Sequence, residues 1–334
     1  MPGKTGDRMN EHRRHSQETD RLASLEIAVL IPCYNEEAAI AKVVADFRTA
    51  LPGADVYVYD NNSRDRTTEV ARSAGAVVRQ EMHQGKGNVV KRMFTDVEAD
   101  IYVLVDGDAT YDAPSARGMI ERLLKERLDM VVAVRVSQEQ TAYRRGHRTG
   151  NRLLTGFVAN VFGRAFNDIL SGYRVFSRRF VKSFPVLSGG FEIETELTVH
   201  ALELGLPVGE VETPYYARPQ GSASKLNTWR DGLRILRTIV KLYRSERPLQ
   251  FFSGIGALLA IVSVGFAIPI FVTYFREGTV PRLPTAVLAT GLMLLAFLSV
   301  VCGFVLDTVT RGRREAKLFA YLAHRAPGEE RRRG

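Results

Sequence analysis

From Ser24 to about Val211 the chain alternates short apolar runs with amphipathic stretches of helical period. The runs Glu26–Ile31, Val56–Tyr59, Val77–Arg79, Ile101–Val105 and Met130–Val134 predict strands. Between them, Ala38–Leu51, Thr67–Ala74, Gly87–Asp96 and Pro114–Lys125 predict helices. Ser63 or Asp65 suits the cap of the second helix, and Pro114 fits the first turn of the fourth. This alternation predicts an α/β domain, a mostly parallel sheet with helices on both faces. Such sheets bind ligands beyond the carboxyl ends of their strands. Three polar segments, at Cys33, Asp60 and Asp106, each begin where a predicted strand ends, which locates a site before any chemistry is considered.

The pattern changes after Thr228. Trp229, Leu233, Leu236, Val240 and Tyr243 recur at helical spacing, with Arg230, Arg234, Arg237, Lys241 and Arg244 one step behind. An apolar stripe bordered by cations predicts a helix over 229–247 lying in the interface of an anionic membrane; a helix packed on the domain is the other reading. Leu249–Phe275 and Leu283–Leu306 then carry no charged residue. A helix needs about 20 apolar residues to cross the hydrocarbon core, so both runs predict transmembrane helices. The loop between them, Arg276–Arg282, is too short to hold a domain, so both flanks return to one side.

Charge orients this hairpin. Residues 218–248 carry eight Lys/Arg against two acids, and residues 311–334 carry eight against three, a joint excess larger than the whole chain's net +9. Cations flanking the spans predict a multi-pass protein of the cytoplasmic membrane, with the α/β domain and both termini in the cytoplasm. Because the positive charge sits beside the spans, it argues against a nucleic-acid partner. Met1–Ser24 is polar, mixed in charge and without an apolar core, which predicts a disordered leader rather than a signal peptide. Cys33 and Cys302 offer neither a disulfide framework nor zinc spacing, as suits a reducing compartment.

Asp106-Gly107-Asp108 follows the strand Ile101–Val105. Residues two apart on an extended chain point the same way, so both carboxylates can converge on one hard cation. Mg2+ or Mn2+ there would neutralise a diphosphate leaving group; an Asp-Gly turn is the competing reading. Asp60-Asn61-Asn62-Ser63 presents a carboxylate able to accept from a nucleobase or ribose, or else a polar turn into a helix. Pro32-Cys33-Tyr34-Asn35-Glu36-Glu37 reads as a ligand-facing loop or as acids favouring a helix N-terminus. Gly85-Lys86-Gly87 lacks the glycine and hydroxyl spacing of a phosphate loop, leaving Lys86 as a ligand contact or a solvated loop cation.

In combination, IPCYNEE, YDNNSRDRT, HQGKGN and VLVDGDATYD resemble family 2 glycosyltransferases of the GT-A fold over about Ile27–Lys225. Asp168-Ile169-Leu170-Ser171-Gly172-Tyr173-Arg174, and Arg218 with Ser222, Ser224, Lys225 and Leu226, are similar to the dolichyl-phosphate mannose synthase and polyprenyl-phosphate glucosyltransferase branch. A C-terminal two-helix hairpin is typical of the latter. The expected organisation is a leader over 1–24, a Rossmann-like GT-A domain over 25–228, the interfacial helix over 229–247, the hairpin over 248–310 and a basic tail over 311–334.

The resemblance implies roles. Pro32, Tyr34, Glu36 and Asp60 contact the nucleoside, with Lys86 nearby. Asp106 and Asp108 hold the metal and the donor diphosphate, and Asp168 stands where the family places its base. Arg218 and Lys225 grip donor phosphates, while Arg135, with Arg148 and Asn151 after it, meets the lipid phosphate. One departure is expected to alter base recognition: the family commonly has two acids where this chain has Asp60 and then Asn61.

The implied reaction is inverting transfer of a hexose or N-acetylhexosamine from a nucleotide-sugar, UDP ahead of GDP, to an undecaprenyl- or dolichyl-type phosphate. A homo-oligomer is compatible with it. The alternative is a GDP-mannose-dependent mannose synthase. A processive polysaccharide synthase would carry Gln-x-x-Arg-Trp near the first span, whereas Trp229 precedes Arg230. A catalytically dead sensor would have no need of Asp106, Asp108 and Asp168.

Overall fold

The computed structural model describes residues 24–137, 166–186, 189–190, 192–218 and 240–328, with single positions 22, 156 and 237. It forms two compact units, residues 1–228 with 317–334, and residues 229–316.

The first unit contains one seven-stranded sheet. Its strands are β1 (Ile27–Cys33), β2 (Asp55–Asp60), β3 (Val77–Gln80), β4 (Ile101–Leu104), β5 (Met130–Ser137), β6 (Arg174–Ser177) and β7 (Val208–Tyr215). They run in the order β3-β2-β1-β4-β6-β5-β7, with β6 antiparallel to both neighbours and every other pair parallel. The helices are α1 (Ile40–Ala50), α2 (Thr67–Ser73), α3 (Lys86–Asp96), α4 (Ser115–Lys125), α5 (Arg178–Ser183) and α6 (Ile193–Glu203).

All five predicted strands and four predicted helices are present, with ends shifted by at most three residues. The elements β6, α5, α6 and β7 were not foreseen; for β6 and α6 the reason is burial. All four residues of β6 are buried, so it shows no alternation. Helix α6 buries Glu194, Thr195, Thr198, His200 and Glu203 among its apolar residues and so has no amphipathic stripe.

Alternate strand residues feed two cores. Val29, Ile31 and Val103 pack with Val43 and Phe47 of α1 and with Met119 and Leu123 of α4. On the other face, Phe94 of α3 meets Tyr102, Phe176 and Phe184 edge-on. Strand β1 lies between β2 and β4, so the connections leave it in opposite directions. Crevices form at such a switch point, and the three polar loops follow these same strands. Among the described residues four non-glycines have positive φ, and three lie in these loops: Asn35 (52°), Asn62 (64°) and Ala109 (57°). A left-handed conformation costs a side-chain-bearing residue about 1 kcal/mol, so the strain is concentrated where the candidate ligand contacts are.

The second unit holds α7 (Pro248–Glu277) and most of α8 (Leu283–Leu322). Their most apolar windows have mean hydropathy 2.6 and 2.4 yet are only 11% and 17% buried, unlike core helices of a soluble protein. Both are long and apolar enough to cross a membrane. Two serines join them: Ser263 Oγ donates to the Ala289 carbonyl (2.7 Å) and Ser299 Oγ to that of Phe252 (2.9 Å).

The expected tail over 311–334 is helical as far as Leu322. Within the first unit, Lys317 pairs with Glu203 (2.6 Å) and the Tyr321 hydroxyl donates to Asp129 (2.8 Å). The expected leader, and most of the expected interfacial helix, lie outside the described residues; Val240–Glu246 are helical.

Candidate functional site

The loops after β1 and β2 are stitched together. The Asn35 N–H donates to Ser63 Oγ (2.8 Å), the Glu36 N–H to Thr67 Oγ1 (2.9 Å) and the Arg64 N–H to Asn35 Oδ1 (2.8 Å). Ser63 therefore holds the neighbouring loop, and it is Asp65 that accepts from the first-turn Thr67 N–H (3.0 Å) of α2. Pro32 pairs in register with Tyr59, and Tyr34 is half-buried just beyond. Glu36 is buried, and its carbonyl accepts from the Ile40 N–H (2.9 Å) at the start of α1. In this wall Asp60 stands out. Its Oδ2 accepts from the Ser63 N–H (3.1 Å), while its buried Oδ1 has no hydrogen-bond partner among the described residues. A desolvated carboxylate oxygen without a donor is costly, and a nucleobase N–H or ribose hydroxyl would satisfy it.

Asn61 plays a different part from the one expected. Its Nδ2 donates to the carbonyls of Glu81 (2.8 Å) and His83 (2.8 Å), and its Oδ1 accepts from the Gly85 N–H (2.7 Å). The amide that was to alter base recognition instead braces the loop leading into α3. Gly85 itself has φ 131°, and a Cβ there would meet the Gly189 carbonyl oxygen at 2.0 Å. Lys86 follows as the first residue of α3, and it is not a solvated loop cation. Its ammonium lies 2.5 Å from Asp106 Oδ1 and 2.5 Å from Glu194 Oε1. Burial acts against the charged ammonium, but the two carboxylates outweigh it and hold its pKa above the ordinary value.

Asp106 and Asp108 follow β4, which pairs with β1 and β6, so the turn at Gly107 and Asp108 is not that of a hairpin. Asp108 is buried, accepts from Thr110 Oγ1 (2.6 Å) and pairs with Arg218 (2.7 Å). Burial and then the neighbouring Asp106 charge push the Asp108 pKa up. Asp168 is also buried and is gripped by Arg135 Nε (2.6 Å) and Nη2 (2.8 Å), with the guanidinium 5.5 Å above the Tyr215 ring. Each of the three acids assigned to metal or catalysis is thus neutralised by a cation assigned to a ligand.

Two residues without an assigned role tie this set together. Arg174 is fully buried and donates to the carbonyls of Ile169 (2.5 Å) and Ser171 (2.9 Å), bracing the segment after Asp168, and also to Thr198 Oγ1 (2.8 Å). Its burial lowers its pKa to about 10. The Tyr111 hydroxyl accepts from the Gly172 N–H (2.9 Å), joining the Asp168 segment to the one after Asp108. Gly172 is required there, because a Cβ would lie 2.3 Å from Asp106 Oδ2. Glu194 was missed altogether: it sits in a helix with no stripe, between two further glutamates. Arg148, Asn151 and Lys225 lie outside the described residues.

Among the described residues no three His, Cys, Asp or Glu side chains form a metal cluster. Asp106 and Asp108 nevertheless offer two hard oxygen donors whose mutual repulsion favours a cation. That donor set fits Mg2+ or Mn2+ whose remaining ligands are diphosphate and water oxygens.

The glycosyl transferase family 2 profile matches residues 28–184. Glycosyltransferase AglJ of Haloferax volcanii is 36% identical over 250 residues, covering 74% of this chain and 81% of that protein. A dolichyl-phosphate hexose transferase of the same organism is 28% identical over 66% of this chain and 96% of its own. The dodecaprenyl-phosphate galacturonate synthase of Rhizobium johnstonii is 21% identical over 87% of this chain and 90% of its own, a span that must include hairpin residues. Among solved structures, Mycobacterium tuberculosis glucosyl-3-phosphoglycerate synthase shares the fold, with a TM-score of 0.55 and 22% identity over 68% of this chain and 83% of that one.

Proposed function

The chain belongs to glycosyltransferase family 2, and we propose that it transfers a hexose or N-acetylhexosamine from a UDP-sugar to a polyprenyl phosphate at the cytoplasmic face of a membrane. The observation that carries this reading is the set of matched pairs at the strand ends: Lys86 with Asp106, Arg218 with Asp108 and Arg135 with Asp168. Such a site is built to exchange its internal counter-ions for two anionic substrates. The acceptor class is supported by relatives named for dolichyl phosphate and dodecaprenyl phosphate. It is supported also by the exposed apolar hairpin, which would tether the enzyme in the plane where a lipid phosphate is confined. The UDP preference rests on the likeness of that hairpin arrangement to polyprenyl-phosphate glucosyltransferases.

In this mechanism Asp60 Oδ1 accepts a hydrogen bond from the nucleoside, and Lys86 and Arg218 neutralise the donor diphosphate. A divalent cation on Asp106 and Asp108 would add charge neutralisation of the leaving group. A phosphate oxygen of the lipid attacks the anomeric carbon from the face opposite the diphosphate. The new C1–O bond forms as the old one breaks, configuration inverts, and the nucleoside diphosphate departs with the bonding pair. The acceptor's second pKa is near ~6, so at neutral pH it arrives largely as the dianion. It needs little help from a base, and Asp168 serves chiefly to hold Arg135 where the phosphate must sit. Arg135 then screens the repulsion between two anionic reactants, a task that in a water-poor site is worth several kcal/mol or ~100-fold and more in rate.

The test is a panel of UDP- and GDP-sugars with undecaprenyl phosphate and purified full-length protein, the lipid product being identified by mass. A polyprenyl-phosphate hexose from a UDP-sugar is expected. Product from GDP-mannose alone would overturn the donor, and the absence of lipid product from every donor would overturn the acceptor.

A further inference from the structure

The Lys86 ammonium is shared between two carboxylates from different elements, Asp106 at the end of β4 and Glu194 in the first turn of α6, with side-chain exposures of 10%, 30% and 8%. Both partners are held in place. The Glu194 carbonyl accepts from Thr198 Oγ1 (3.1 Å), which in turn accepts from Arg174 Nη1 (2.8 Å), so this turn of α6 is tied to the segment after Asp168. On the other side, Asp106 Oδ2 faces the Gly172 backbone so closely that a Cβ would lie 2.3 Å away. Lys86 occupies the other oxygen, Oδ1.

A cation on one oxygen of a carboxylate weakens the hold of that carboxylate on any second cation. If Asp106 were the sole partner of Lys86, displacing the ammonium would strand a buried positive charge. Glu194 supplies a second partner within reach of the same ammonium. We infer that Glu194 is a positioning residue of the donor site, retaining Lys86 when a divalent cation takes the Asp106 carboxylate and so raising the affinity of Asp106 and Asp108 for that cation. The inference rests on the reading of Asp106 as a metal ligand.

Mn2+ titrated into the full-length protein in detergent, with UDP or GDP present and free Mn2+ followed by electron paramagnetic resonance, tests it. E194Q removes the charge, and E194D keeps the charge but withdraws it from Lys86. Both should weaken Mn2+ binding, roughly 3- to 10-fold, the scale of one ion pair. The Mn2+ concentration for half-maximal activity should rise by the same factor. In a K86M background E194Q should have no further effect. Wild-type binding by E194D, or an equal loss from E194Q with and without Lys86, would overturn the inference and leave Asp106 as a ligand. A wild-type protein that binds no Mn2+ with either nucleotide would overturn the metal reading and the inference together.

Discussion

Replacing Asn61 with Asp distinguishes a base-reading residue from a brace. Asn61 is 4% exposed, and its Nδ2 donates to the Glu81 and His83 carbonyls while its Oδ1 accepts from the Gly85 N–H. A carboxylate can still accept from Gly85 but cannot donate, so two hydrogen bonds are lost at about 1 kcal/mol each. It also sets a second buried charge beside Asp60, which raises the expected loss to roughly 2–4 kcal/mol. For a domain of this size about 1 kcal/mol moves the melting point by roughly 2–4 °C, so N61D should melt about 5–15 °C lower. Because the braced loop leads into Lys86, UDP and GDP should both bind more weakly and by a common factor. Thermal melting of the detergent-solubilised protein, with competition binding of the two nucleotides, measures both quantities. An unchanged melting point together with an inverted UDP-to-GDP preference would refute the brace and restore Asn61 to the base pocket.

Asp108→Ala should reduce kcat by about 100-fold or more, and a chelator should do the same to the wild type; full turnover of that variant in excess chelator would sink the metal assignment. A cysteine introduced at Thr279, in a variant lacking Cys33 and Cys302, should react with an impermeant thiol reagent in intact cells, whereas labelling only after lysis reverses the proposed orientation. His200 has its pKa pushed down to about 3, first by burial and then by Lys317. The unfolded imidazole takes up its proton near pH 6.5 while the folded one stays neutral. Stability is therefore whole above that pH and declines below it, by at most about 1.4 kcal/mol per pH unit, until about pH 3. The melting point should fall from pH 7 to pH 5 and fall less in His200→Gln; equal slopes would discard His200 as the source.

The elements from β1 to β5, with the helices between them, were legible in residue order because each is amphipathic or apolar over a run long enough to show its period. Asp60, Asp106 and Asp108 could be placed at strand ends for the same reason, and the two long charge-free runs announced the hairpin without any tertiary information. Residues 174–215 were not legible. Arg174, Val175, Phe176 and Ser177 are all buried, and α6 is buried nearly all round, so neither period survives.

Pairing within the site was likewise beyond the reach of spacing. Lys86 and Glu194 are 108 positions apart, as are no two residues within one motif, and nothing near Glu194 marks it off from Glu192 and Glu196. The sequence supplied the acids and the cations as separate inventories. Folding decided that Arg135 holds Asp168, that Arg218 holds Asp108 and that Lys86 is divided between Asp106 and Glu194. Periodicity is a local property, written by the backbone geometry of a few consecutive residues. The partner of a buried charge is chosen by which elements the sheet order brings within a few ångströms, and that choice exists only once the chain has closed.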